Sequence, residues 1–189
     1  MANTKIVTGK VRLSYANLFE ARAQAEGQEP KYSVTLLIPK SDTKTVEKIN
    51  AAIKAAREAF VARNGAASLP AQPKHTFHDG DGLRPSGDPF SPECKGHYVI
   101  TVSNKNKPVV VDLAKNEITD PSVVYSGCYA RAAINFYGYN TNGNKGISAS
   151  LLSVQKIADG EPFGIVGSAN DFDDDYDYMD ELENDYDFM

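Results

Sequence analysis

The chain has 189 residues, 41% apolar and 24% charged, which suits one folded domain with an appendage and excludes disorder throughout. No apolar run approaches the ~20 residues a membrane-spanning helix needs. Met1 to Lys10 lacks the apolar centre of a signal peptide, and two cysteines, Cys94 and Cys128, are too few for a disulfide framework, so a reducing cytoplasm is the expected setting.

The net charge of −5 conceals a split. Residues 171–189 hold 10 of the 25 acidic residues and none of the 20 Lys and Arg, leaving 15 acids against 20 bases elsewhere. The body is therefore +5 and the C-terminal segment −10. Such asymmetry points to nucleic acid, or to a tail that masks a basic surface.

In chain order, Lys5 to Tyr15 alternates as a strand does: Val7, Gly9, Val11, Leu13 and Tyr15 share one parity, Thr8, Lys10, Arg12 and Ser14 the other. Gly9 predicts a bulge or a close backbone approach. Glu20 to Pro30 reads as a solvated loop or short helix. Tyr32–Ile38 is a second strand, stopped by Pro39. A helix follows, capped by Ser41 or Asp42 and carrying one apolar stripe of Val46, Ile49, Ile53, Ala56 and Phe60. Asn64-Gly65 ends it. Residues 66–95 read as a loop, long enough to suggest a function. Further strands are expected at Gly96–Ser103, Pro108–Leu113, Gly127–Tyr139 and Gly146–Val154, the last two joined by a turn containing Asn142-Gly143. About six strands and one helix (about 41–64) give a mostly β fold, a barrel or sandwich. The expected divisions are a domain over 1–160, a linker over 161–170 and an acidic tail over 171–189.

The strand Gly127–Tyr139 carries the sharpest chemical signal. Cys128, Ala130, Ala132, Ile134 and Phe136 suit a core, whereas Tyr129, Arg131, Asn135, Tyr137 and Tyr139 share the opposite face. Rings beside cations are what single-stranded nucleic acid needs, because bases stack on rings while Lys and Arg meet phosphates. The same stripe would also serve as core edging or as a homodimer interface. Lys10 and Arg12 on the first strand, Lys31 before the second, Lys105 and Lys107 in a turn, and Lys145 beside the tyrosine strand are the cations that would complete a basic groove.

In the tail, Asp173, Asp174, Asp175, Asp177, Asp185 and Asp187 interleave with Tyr176, Tyr178, Tyr186 and Phe188. An acidic peptide with aromatic anchors can imitate phosphates and bases in such a groove, or dock basic pockets on partner proteins. His75, His78, Asp79 and Asp81 raise a metal-site or nuclease reading, but they match no established ligand spacing, and no metal is expected. Phosphate-binding glycine loops and a nucleophile elbow are absent, so neither an enzyme nor a cofactor is expected. The competing class is a protein-interaction adaptor whose tail docks basic partners.

Six segments together carry a family resemblance: TGKVRLSYANLFE (8–20), KYSVTLLIPKSD (31–42), HDGDG (78–82), YSGCYARAAINFYGYN (125–140), GNKGISASLLSVQ (143–155) and DGEPFG (159–164). The chain resembles bacteriophage single-stranded DNA-binding proteins with an OB-fold, once catalogued as a domain of unknown function. The resemblance implies an OB-fold-like antiparallel β-barrel and sequence-tolerant ssDNA binding in phage replication or recombination. It also implies a disordered acidic C-terminal tail that competes with DNA and recruits replication or recombination proteins. The charge split, +5 against −10, separately gives the expectation that the tail lowers affinity most strongly for duplex, with duplex binding once the tail is removed. Many such tails end in an aromatic residue; here Met189 follows Phe188. The candidate DNA-binding residues rest on the stripe and charges, not on the resemblance.

Overall fold

The structure, a computed structural model, describes residues 3–23 and 25–163. The tail and most of the expected linker lie outside the described residues. Eight strands and one α-helix occur among the described residues: β1 (Lys5–Val7), β2 (Val11–Arg22), β3 (Lys31–Pro39), α1 (Thr43–Asn64), β4 (Phe77–Asp79), β5 (His97–Asn104), β6 (Val109–Val111), β7 (Tyr129–Thr141) and β8 (Asn144–Ala158). A single 3₁₀ turn, Pro92–Cys94, precedes β5.

Five strands close into a ring: β2 pairs β3, β3 pairs β5, β5 pairs β8, β8 pairs β7, and β7 returns to β2. All these pairings are antiparallel except β5 with β8, which is parallel at Ser103 and Ser150. This is an OB-fold-like ring, as the sequence reading expected. Its interior is filled by alternate residues such as Leu13, Leu36, Ile100, Ile134 and Leu151, each with no exposed surface. Period-two alternation thereby turns one face of every strand inward.

The expected first strand is broken. β1 and β2 both lie along β7, at Ala133–Asn135 and Tyr129–Ala130, with the break at residues 8–10. Gly9 causes it: its N–H donates to Thr45 Oγ1 at 2.9 Å, and a Cβ there would sit 2.5 Å from Asp42 Oδ2. The break thus seats the start of α1, whose cap is Asp42, accepting from the Thr45 N–H at 3.2 Å.

The helix packs through Ile49, Ala52, Ala55 and Ala56, with Val46, Ile53 and Phe60 half-buried at the margins. Small alanines bring it close to the sheet, and Phe60 lies where a Cβ of Gly138 would have to be. The segment read as a loop over 66–95 contains β4, paired with β5, and the 3₁₀ turn. The segment read as loop or short helix from Glu20 begins as strand, since β2 runs to Arg22.

Candidate nucleic-acid interface

The outer faces of β2, β3 and β5 form the floor of a groove of about 530 Å³. Register places its residues in rows across the strands. Ser14 lies opposite Thr35, which lies opposite Thr101, and the two threonine hydroxyls meet at 3.1 Å. The next row outward is Asn17, Ser33 and Ser103, and beyond it Arg22 pairs Lys31. In the other direction the row is Val99, Leu37, Arg12 and Tyr129, spanning β5, β3, β2 and β7.

Tyr15 stands over this floor. Parity puts it in the core with Leu13, but it is 64% exposed. Its φ of 48° places it in the left-handed region, which a bulky residue rarely adopts. The pairing of β2 with β3 shifts register between Ser14 and Asn17, and this bulge turns the tyrosine ring out onto the groove. Strained backbone of this kind is concentrated at functional sites.

One wall is the segment before β5. Arg84, Phe90, Ser91 and Cys94 line the groove, and the Arg84 guanidinium lies 5.4 Å from the centre of the Phe90 ring. The HDGDG turn holds this wall in place. Lys40 Nζ reaches Asp79 and Asp81 at 2.7 Å each, and Asp81 accepts from the Gly96 N–H at 3.1 Å. Hydrogen bonding to Asp79 and Asp81 raises the Lys40 ammonium above its ordinary range, and the same ion pairs hold both carboxyls below theirs. His78 is lowered by burial, with the neighbouring His75 adding to it. The two carboxylates singled out for metal binding therefore serve a lysine.

A strap closes the end of the groove at the Arg12 row. Tyr125 Oη lies 3.0 Å from the Gly160 carbonyl, and the Phe163 N–H donates to the Ser126 carbonyl at 3.1 Å. Gly160 is seated so tightly on Gly127 that a Cβ would lie 2.1 Å from the Gly127 carbonyl oxygen. Phe163, with Phe90, packs against the apolar cluster of Leu37, Val99 and Cys94. Residues 161–163, assigned from sequence to a linker, are thus docked on the body. Gly160→Ala should lower stability by about 1–3 kcal/mol through this backbone clash. A denaturant midpoint equal to that of the parent chain would show that the strap contributes nothing.

The sequence-predicted residues separate into groups. Lys10, Arg12 and Tyr129 come together: Lys10 Nζ is 5.3 Å and the Arg12 guanidinium 5.7 Å from the Tyr129 ring centre. Arg12 is already engaged, donating to the carbonyls of Gly127 and Glu161. Lys31 is exposed at the opposite end of the groove, beside Arg22. Lys105 and Lys107 are exposed between β5 and β6, with Lys107 Nζ 6.0 Å from the Phe19 ring. Arg131 is exposed and donates to the Thr8 carbonyl at 3.2 Å. Tyr137, 43% exposed, lies beside Phe60 and Arg63 of α1, while half-buried Tyr139 faces Gly146. Lys145 is exposed near the β7–β8 turn and pairs Asn140.

The tyrosine stripe is therefore not one platform. Eight residues separate Tyr129 from Tyr137, about 26 Å along a strand. Sequence reasoning missed Tyr15, Arg22, Arg84 and Phe90. Nothing in the pattern marked the bulge, and the wall was read as a loop of undefined position.

The same architecture and sequence recur in phage proteins. The family described as Enterobacter phage Enc34, ssDNA-binding protein, matches residues 4–186. The "Putative protein p50" of Acyrthosiphon pisum secondary endosymbiont phage 1 is 37% identical over 181 residues, covering 90% of this chain and 93% of that protein. The single-stranded DNA-binding protein from bacteriophage Enc34, solved in complex with ssDNA, superposes with a TM-score of 0.72 at 32% identity, covering 85% of this chain and 90% of that one. A single-stranded DNA binding protein encoded by bacteriophage T7 shares the fold at a TM-score of 0.61 and 16% identity, covering 90% of this chain and all of that one. With a match running over nearly its whole length, the chain belongs to the Enterobacter phage Enc34 ssDNA-binding protein family.

Proposed function

We propose that this chain is a non-catalytic, sequence-tolerant single-stranded DNA-binding protein of phage replication or recombination, acting in the cytoplasm of the host. The observation that carries the reading is Tyr15, exposed and backbone-strained over a hydroxyl-lined groove. That groove spans β2, β3 and β5, the first three strands of the ring in chain order, and so includes the second- and third-strand face on which OB-folds take oligonucleotides. Bases would stack on Tyr15 and Phe90 and hydrogen-bond to Ser14, Ser33, Thr35 and Thr101, which offer donors and acceptors without selecting one base. Arg84, Arg22 and Lys31 would meet phosphates, with Lys10 and Tyr129 extending the path past the strap. Lys105 and Lys107 would serve a strand leaving at the Lys31 end. Tyr137 lies on a separate surface beside α1, Tyr139 and Lys145 lie toward the β7–β8 turn, and Arg131 lies two residues along β7 from Tyr129, held to the Thr8 carbonyl. In this reading the tail lowers DNA affinity, discriminates against duplex, and docks partner proteins.

A salt titration of fluorescent oligo-dT tests the reading. With about four phosphates neutralised, log K should fall against log salt with a slope near −3. If neither the full chain nor a chain ending at residue 170 binds at low salt, the groove is not a DNA site, and the adaptor reading takes its place.

A further inference from the structure

Arg12 faces outward in the row that continues the groove floor, yet its guanidinium is covered. The Phe163 ring centre lies 4.2 Å from it, and the Glu161 carbonyl accepts one of its N–H groups. A flat ring on a guanidinium face is the contact an unpaired base makes with arginine. The same ring packs, together with Phe90, against a cluster that includes Leu37 and Val99, apolar residues on the outside of the sheet, 0% and 6% exposed.

We infer that residues 159–163 are a displaceable strap in which Phe163 occupies the place of a base. The inference rests on the DNA-binding reading above. The groove then offers two footprints. With the strap docked, a short strand lies over the Ser14–Thr35–Thr101 row and runs toward Arg22 and Lys31. With Phe163 lifted, a longer strand continues to the next row, about 7 Å further along the strands, and crosses it from Leu37 over Arg12 to Tyr129 at about 5 Å per strand.

Two features suit the strap to exchange. Lifting Phe163 removes part of the apolar cover of the Leu37–Val99–Cys94 cluster, so the closed form is favoured without DNA; a base stacked in its place restores the cover and the contact with Arg12. The rest of the attachment is polar contacts near the surface, namely Phe163 N–H to the Ser126 carbonyl, Arg12 to the Glu161 carbonyl, Tyr125 with Gly160 and Asp159, and the Lys156–Asp159 ion pair, together with the close seat of Gly160 on Gly127.

The test places p-fluorophenylalanine at position 163 of the full chain and adds oligo-dT of two lengths, about 4 and about 16 nucleotides, the range of sites OB-folds cover. The ¹⁹F resonance should move with the long strand and stay with the short one. In parallel, Phe163→Ala should raise affinity for the long strand about fivefold or more, as expected for freeing one stacking position, and leave the short strand unchanged. Gly160→Ala, which forces the strap from Gly127 while keeping the phenylalanine, should show the same length-selective gain. A resonance that stays put while the long strand binds overturns the strap alone, as does an equal effect of the variants on both lengths. If the full chain binds neither strand at low salt, the DNA-binding reading falls and the strap with it.

Discussion

Tyr15→Ala should weaken oligo-dT binding by about 10- to 100-fold while leaving the folded state about as stable as before. Loss of one base–aromatic stack costs roughly 1–3 kcal/mol, and Tyr15 is the most exposed ring on the groove. Stability is not at risk, because a side chain 64% exposed contributes little burial. The left-handed backbone supplies a second control. Tyr15→Gly removes the ring and also relieves the φ of 48°, so it should be more stable than Tyr15→Ala yet equally poor at binding. Tyr137→Ala, the comparable change on the separate surface beside α1, should leave binding within about twofold, since that ring touches no groove residue and so forfeits no stack. Fluorescence anisotropy on the three variants, with thermal midpoints alongside, checks the set. If Tyr137→Ala loses binding and Tyr15→Ala does not, the strand runs along β7 instead.

Removing residues 171–189 should raise affinity for oligo-dT about tenfold or more at low salt and raise it further for duplex. The reason is the sign of the charge. The full chain carries −5 and repels a polyanion; without the segment it carries +5. The segment is also joined to the strap at one end of the groove, so its local concentration there is high whatever path it takes. Both effects are Coulombic, so the two binding curves should converge as salt shortens the screening length to ~3 Å near 1 M. Duplex should gain more because its attraction is almost wholly to phosphate. Equal affinities at low salt for the full chain and a chain ending at residue 170 would remove the masking role.

The interior of this protein was legible in its sequence. Alternation marked Val11, Leu13, Ala132 and Ile134 as core, the 3.6-residue spacing marked the helix, and Ser41 or Asp42 and Asn64-Gly65 marked its ends, Asp42 being the cap that forms. These follow from local periodicity, since a strand has only two faces and a helix one buried stripe. The charge split was equally plain, and with it the class of partner. What the sequence could not decide was which outward residues share a surface. Tyr129 looks like a neighbour of Tyr137 and Tyr139 because every second residue shares a face, yet most of β7 separates it from that pair, and α1 lies beside Tyr137. Arg12 looked free but is held by residues some 150 positions away, the Glu161 carbonyl and the Phe163 ring. Tyr15 looked buried because parity assumes an unbroken strand, and a bulge of one residue reverses it. The HDGDG carboxylates matched no ligand spacing, but their actual partner, Lys40 at the end of β3, came only with the fold. Local pattern specifies inside against outside. Register, bulges and long-range docking choose which outside residues form the site, and those are set only when the ring closes.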